Sequence, residues 1–424
     1  VSARFVVATL APPRRRWIRD LSRWATTGDL PADVVTCLAG DELRALLGTG
    51  RPLSLVLVDA GTTALDRDLV AQVRGAGCST VVVDDGRRQR DWEAIGCAEL
   101  APEPHGPDAV ADLLSRHGRP VDGEGRRPAR ATGLGRGAAP PATVVAVTGA
   151  GGAGASTIAA ALAQSLGGMS GRRVQTALVD GSRRATQTVL HAPDDVVPGL
   201  TELVDAHRND APDPEVVRTF LRPVPDRGYD LLVGLRRTRD WAGLRPLALA
   251  AALDGLSRTY RTVVIDHDPD VDGMAATGSV EVEERHTLSR WAVDRADLVL
   301  VVGRPDLAGL HAVASARADL VDQGVALDRV LVVLNGVRTA RLRQVGDVDL
   351  RRAVGGQFVA VPPVRGLEQA HRNVAPLPRT LVRTVGSAAA HALRRVGPAG
   401  ASDGSTLVVP GELGTHLDQF GGAA

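Results

Sequence analysis

The sequence predicts an α/β protein with two doubly wound, parallel-sheet domains, and three observations carry that prediction. Short apolar runs alternate with helical stretches, once over residues 4 to about 117 and again from about 142 to 397. A stretch rich in Gly, Pro and Arg, without periodicity, separates the two at residues 118–141. Within the second run, VTGAGGAGAST at residues 147–157 crowds glycines between a strand-like TVVAV and a helix-like STIAAALAQSLGG.

In the first run RFVVATL, DVVTCLAG, LSLVLVDAG and STVVVDD read as buried strands, with AELAP as a weaker fifth. WIRDLSRWA, DELRALLG, DRDLVAQVRGAG, DWEAIG and PDAVADLLSRHG are the helices between and after them. In the second run the strands are TVVAVTG, VQTALVD, YDLLVGL, RTVVIDHD, ADLVLVVG, RVLVVLN and QFVAVPP. Its helices include STIAAALAQSLGG, LRPLALAAALDGL, LAGLHAVASARADLVDQG and the basic LVRTVGSAAAHALRRVG at 381–397. That last helix is amphipathic, but alanine-rich faces bind bilayers poorly, so it reads as a packed helix rather than a lipid anchor. The domains are therefore 1–117 and 142–397, joined by the linker 118–141 and followed by a Gly-rich tail, 398–424, in which STLVVPGEL could form a short strand.

Composition narrows the function. A chain of 424 residues, 44% hydrophobic and 23% charged, has enough apolar surface for two cores. A formal net charge of +1 gives no strong positive field and argues against a general nucleic-acid binder. Cys37, Cys78 and Cys97 make neither a zinc pattern nor a disulfide framework, which points to a reducing cytosol. No apolar run reaches the ~18 residues of a membrane span, and VSARFVVATLAPPRRR has too short an apolar core for a signal peptide. All 50 basic residues are arginine.

The first domain's five-fold βα order resembles a response-regulator receiver domain. That family builds its phosphorylation site from an acidic pair after the first strand, an aspartate after the third and a lysine after the fifth. Asp59 ends the third strand here, but LAPPRRR follows the first, and the chain contains no lysine. Asp59 is therefore expected to be an ordinary strand-end carboxylate in a pseudo-receiver used for docking.

The glycine turn admits two chemical readings. Gly149, Gly151 and Gly154 spell GxGxxG, the dinucleotide fingerprint, with Asp180 ending the next strand and Arg183 and Arg184 beside it for a 2′-phosphate. An NAD(P)-dependent oxidoreductase is the function that follows, although the gap to Asp180 exceeds the roughly 20 residues expected. The short-chain dehydrogenases, which TGAGGAG resembles, also need a Tyr-x-x-x-Lys pair. The second reading makes Ala150–Thr157 a phosphate-binding loop. It resembles the deviant Walker A motif of the MinD/ParA ATPases, KGGxGK[ST]T, with Ala150 and Ala155 where that family has lysines. LVD ending at Asp180, VVID ending at Asp266, ADLVLVVGRPD and VVLNGV with Asn335 follow in the family's order.

The two-domain layout resembles the CpaE/TadZ proteins of tight-adherence pilus loci and their actinobacterial relatives, the CpaE-like "septum-site-determining" type of helicase-secretion neighbourhoods. This resemblance implies ATP or ADP with Mg²⁺ at Gly151, Gly152, Gly154, Ala155, Ser156, Thr157, Asp180 and Asn335, with Ser156 and Asp266 holding the metal. It further implies a homodimer acting in the cytoplasm or at the inner face of the plasma membrane, on pilus, secretion or cell-division machinery. Helix-terminus amides can hold an anion without lysine, so binding is expected to be weak or absent. Transfer of a phosphoryl group needs fixed positive charge, and Ser182 replaces the family's catalytic aspartate, so hydrolysis is expected to be low. An active ATPase of the same family is the alternative. The plainer reading makes the glycines a tight turn, Asp180 and Asp266 strand-end acids, and His267 a loop histidine.

Overall fold

The computed structural model describes residues 5–12, 14–84, 86, 90–121, 142–167, 174–192, 195–338 and 357–396. The chain forms two compact units, Val1–Ala138 with Asp205–Pro212, and Ala139–Val204 with Asp213–Ala424.

The first unit is built from β1 (Phe5–Leu10), α1 (Arg16–Thr27), β2 (Ala32–Cys37), α2 (Gly40–Gly48), β3 (Leu55–Asp59), α3 (Arg67–Gly75), β4 (Ser79–Val83), β5 (Glu99–Ala101) and α4 (Pro107–His117). Its strands are parallel in the order β2-β1-β3-β4-β5, the flavodoxin-like order. Alternate residues of β3 enter two cores, Leu55 and Leu57 on one face and Val56 and Val58 on the other. This two-sided burial explains the unbroken apolar runs. Helix α1 covers one face with Trp17, Ile18, Leu21 and Trp24, the three-to-four spacing of a one-sided helix. DWEAIG is not a helix. Trp92 and Ile95 are buried, but the segment closes in turns, with Cys97 N donating to Trp92 O at 3.0 Å. Gly96 takes φ +93° and Asp91 Oδ1 accepts from Ala94 N at 2.9 Å, so the segment is turned rather than wound.

The second unit contains β6 (Thr143–Gly149), α5 (Ala155–Gly167), β7 (Thr176–Asp180), α6 (Thr186–His191), α7 (Leu200–Asn209, whose end belongs to the first unit), α8 (Pro214–Arg218), β8 (Arg222–Val224) and β9 (Tyr229–Leu232). There follow α9 (Pro246–Thr259), β10 (Thr262–Asp266), α10 (Met274–Thr277), α11 (Val280–Arg285), α12 (Thr287–Arg295), β11 (Leu298–Gly303), α13 (Leu307–Asp322), β12 (Val330–Asn335), β13 (Phe358–Val361), α14 (Leu367–Arg372) and α15 (Arg379–Arg395). The eight-stranded sheet runs β13-β12-β11-β6-β10-β7-β9-β8, and only β8 is antiparallel to its neighbour. All seven strands read from the sequence are present. β8 is the addition: three residues around Pro223, tolerable because the strand lies at an edge.

Helix α5 is nearly all small and apolar, with Ile158 to Ala163 fully buried, and sits against the middle of the sheet. Helix α15 packs on it as expected, burying Leu381, Val385, Gly386, Ala389 and Ala392. A side chain at Gly386 would overlap Ser165. No described helix is long and apolar enough to cross a membrane. The three cysteines are free and buried, and burial pushes the Cys78 and Cys97 thiols up to about 11 and about 12. STLVVPGEL and most of the linker lie outside the described residues.

Candidate functional site

Two central strands, β6 and β10, run side by side and bring the glycine turn and Asp266 to the same end of the sheet. Gly149 ends β6 where it passes β11, and a Cβ there would overlap the Val302 carbonyl. The chain then turns through Ala150–Ala153, closed by Ala153 N donating to Ala150 O at 3.0 Å. Gly154 has φ +93°, and a Cβ on it would overlap Asn335 Nδ2. Glycine is therefore required there on two counts. Helix α5 begins at Ala155, so the amides of its first turn have no partner within the helix. Gly151 and Gly152 are exposed, and Ala155, Ser156 and Thr157 are half-buried. This is an accessible anion-binding terminus in a 13-residue helix.

Asp266 lies behind it, 2% exposed. Its carboxylate accepts a hydrogen bond from Gln187 Nε2 at 2.8 Å, and the neighbouring Ser156 side chain favours its charged form. The same Gln187 nitrogen donates to Ser156 O at 2.7 Å. Burial pushes the Asp266 carboxyl up to about 7; Ser156 and Gln187 oppose this, while the charges of Asp180 and Asp268 add to it. Asp180, fully buried, accepts from Thr188 N and Thr188 Oγ1, both at 2.8 Å. Burial raises it to about 6 against those bonds. Two buried carboxyls thus lie near one another with only neutral donors around them.

The remaining candidates are placed as follows. Asn335 Nδ2 donates to Ala153 O at 2.9 Å, so one of its amide hydrogens fastens the loop rather than remaining free for a base. The Thr157 hydroxyl stands 3.4 Å from His371 Nε2. Arg183 bonds Asp268 through Nε at 2.7 Å and Asp270 through Nη2 at 2.8 Å. Ser182 is buried, and its hydroxyl has no partner among the described residues. His267 is buried and neutral, pushed down to about 4 by burial, with Nδ1 bonded to the Asp268 carbonyl at 2.7 Å. Thr148 Oγ1, Gln187 Oε1 and His267 Nε2 are likewise buried without partners. Unsatisfied buried groups usually number a few per hundred residues, so this concentration beside one loop fits a site built for a hydrated ion.

The dinucleotide reading does not fit this arrangement. In that fold the acid-bearing strand lies beside the glycine-bearing one, whereas β10 separates β7 from β6 here. Asp180 is fully buried, with one carboxylate oxygen on Thr188, and Arg183 is held by two aspartates, so neither is presented to a ribose or its phosphate. Mg²⁺ with a nucleotide phosphate fits better. Ser156, half-buried in the turn, and Asp266, buried behind it, carry hard oxygens, and Mg²⁺ ordinarily keeps several waters. No group of three or more His, Cys, Asp or Glu among the described residues is arranged to hold a metal alone.

Sequence reasoning missed Gln187, Thr188 and His371. None belongs to a spaced motif; Gln187 and His371 reach the loop, and Thr188 reaches Asp180, through the placement of α6 and α14. It also missed the partners of Asp59 in the first unit. Asp59 is 1% exposed, and Arg15 grips it with Nη2 at 2.9 Å and Nε at 2.7 Å. Trp17 Nε1 at 3.3 Å and Gly61 N at 2.9 Å add to that grip. The arginine-rich segment after β1 thus neutralises the aspartate directly.

No protein-family model matches the sequence, and no curated protein does. Among solved structures, the chain is similar to a ParA family ATPase from Chlorobium tepidum TLS, at 18% identity and TM-score 0.48, covering 59% of this chain and 99% of that one. It is similar to the MinC:MinD cell division protein complex of Aquifex aeolicus, at 14% identity and TM-score 0.44, covering 62% and 100%. A third is the septum site-determining protein MinD complexed with Mg-ADP from Pyrococcus horikoshii OT3, at 19% identity and TM-score 0.42, covering 60% and 95%. At these identities the likeness concerns the fold alone.

Proposed function

We propose that this chain is a positioning or regulatory protein of the MinD/ParA kind, with a lysine-less phosphate loop that binds adenine nucleotide weakly or not at all and hydrolyses it little. One observation carries the reading. The loop, its free first-turn amides, Ser156 and Asp266 converge at the end of β6 and β10, while Arg183, the cation nearest in sequence after Asp180, is held by Asp268 and Asp270. A phosphate could be bound by amides and by Mg²⁺ on Ser156 and Asp266, but charge developing in transfer would meet no fixed side-chain cation from the loop itself. Losing a charged hydrogen bond costs roughly 1.5–3 kcal/mol, about 10- to 150-fold in affinity.

By the same reading residues 1–117 are a pseudo-receiver used for docking and 142–397 the nucleotide domain, linked by 118–141. The protein would act as a homodimer, in the cytoplasm or at the inner membrane face, on pilus, secretion or cell-division machinery of the CpaE/TadZ kind. A thermal-shift panel of ATP, ADP, NAD and NADP, each with Mg²⁺, tests the site. A small shift with the adenine nucleotides ATP and ADP supports the reading. Stabilisation by NADP alone, or rapid phosphate release from ATP by the purified chain, overturns it.

A further inference from the structure

A cleft of about 380 Å³ opens beside the edge strand β8, and none of the residues assigned to the phosphate loop lines it. That volume lies in the range of small-molecule sites, ~300–1,000 Å³. Val224 and Leu231, both buried, and the half-buried Val374 give it an apolar floor. His191, 4% exposed, forms a wall held from two sides. Its Nδ1 bonds the Gln187 carbonyl at 2.7 Å, and its Nε2 lies 2.7 Å from Tyr229 OH and 3.2 Å from Arg227 Nη1. Burial pushes this imidazole down to about 4, so the wall is uncharged at neutral pH.

Only two of the lining residues, Arg222 and Asp226, are charged, and they are opposite in sign. Arg222 Nη2 donates to Val197 O at 2.6 Å, which fixes the guanidinium, while its Nε is buried without a hydrogen-bond partner. Its one ion pair among the described residues is with the exposed Asp195, at 3.9 Å. Asp226 is exposed, and its carboxylate has neither hydrogen bond nor ion pair among the described residues. Two opposite charges that share a cleft without pairing to each other suit a ligand that carries both. Pro223, at the centre of β8, has no N–H, so an added strand finds no continuous ladder there and side chains must hold the occupant.

Backbone strain collects at the same place. Three described residues other than glycine have positive φ, and two of them flank this cleft: Val374, at +51°, lines it, and Ala192, at +38°, follows His191. A β-branched residue is poorly suited to that conformation. Arg227 nonetheless clamps the backbone around Val374, bonding the carbonyls of Ala370 and Ala375, both at 3.0 Å. Glycine would relieve the strain but would remove an apolar side chain from the floor. Strain of this kind is typical of ligand clamps.

We propose that this cleft binds a small apolar zwitterion, an amino acid or dipeptide, with its carboxylate on Arg222, its ammonium on Asp226 and its side chain over Val224, Leu231 and Val374. The two charges select the ends of the ligand and the floor selects its side chain. The site stands independently of the nucleotide reading.

The test is a ligand-observed NMR titration of the full chain at neutral pH with leucine and leucyl-leucine, each compared with its amide and its N-acetyl form. At least one zwitterion should bind, at about millimolar affinity for a ligand of this size. Its amide and its N-acetyl form should each bind about tenfold more weakly, from one lost charged contact. Arg222→Gln should erase the preference for the free carboxylate, and Asp226→Asn the preference for the free ammonium. Failure of both zwitterions to saturate the protein would overturn the proposal. Equal binding of the capped forms, or a preference that survives its substitution, would do the same. If the melting temperature shows that Arg222→Gln does not fold, Asp226→Asn, at an exposed residue, carries the test.

Discussion

Replacing Asp266 by asparagine should stabilise the protein at alkaline pH and do little at acid pH. In the fold burial raises this carboxyl from 3.8 to about 7. A group whose native pKa lies above its unfolded one contributes stability that is fully present below the unfolded value. That contribution is lost as pH climbs toward the native value, here between about 4 and about 7. At about 1.36 kcal/mol per pKa unit, the rise corresponds to about 4 kcal/mol as an upper bound. Relaxation around the charge, and disturbance of the bond from Gln187, reduce the gain from Asp266→Asn to about 2–3 kcal/mol at pH 8. The assay is urea unfolding of parent and variant near pH 4.5, 6 and 8. The variant should be the more stable at pH 8, with the gap closing to within about 1 kcal/mol at pH 4.5. A variant less stable than the parent at pH 8, or a gap that ignores pH, would refute the reasoning.

Gly154→Ala should cost about 2–4 kcal/mol, from the positive φ and the lost bond between Asn335 and Ala153. Gly151→Ala, which meets nothing within 4 Å, should cost under about 1 kcal/mol; equal urea midpoints for the two would contradict the loop geometry. Ala192→Gly relieves an exposed residue at φ +38° and should stabilise by up to about 1 kcal/mol, read as a raised melting temperature. In the first unit Arg15→Ala should destabilise by about 2–3 kcal/mol, allowing for the arginine's partial exposure. Incubation of the parent with a small phosphodonor and Mg²⁺ should leave its intact mass unchanged. An adduct abolished by Asp59→Asn would show that the Arg15 clamp opens.

The legible parts of the molecule are those where the local pattern and the tertiary environment agree. Runs such as LVLVD and LVLVVG are buried on both faces of parallel sheets, so their composition alone gives strand and burial together. β8 was illegible because Arg222–Val224 is three residues long with a proline at its centre, and only pairing with β9 makes it a strand. DWEAIG has a helical apolar spacing, but the Asp91 side chain and the positive φ of Gly96 close it in turns. At the site, Asp266 was expected beside the loop only from the family resemblance, and the parallel pairing of β6 with β10 brings the two to one end of the sheet. Asn335 was expected at the base, yet its amide closes the loop 182 positions away, a contact no spacing encodes. Gln187 and His371 were invisible for the same reason. Asp59 reads as an unremarkable acid until the fold seats Arg15 on it.

The central claim is that the Ala150–Thr157 turn is a phosphate loop short of its lysine. The most direct measurement is a calorimetric titration of Mg·ATP into the parent and Ala155→Lys side by side. Ala155 opens α5 and is partly exposed, so a lysine there can reach the turn without disturbing the core. Weak or undetectable binding is expected of the parent, and an affinity at least about tenfold higher of the variant, from one restored charged hydrogen bond. No gain from the lysine would contradict the claim, and so would tight binding by the parent.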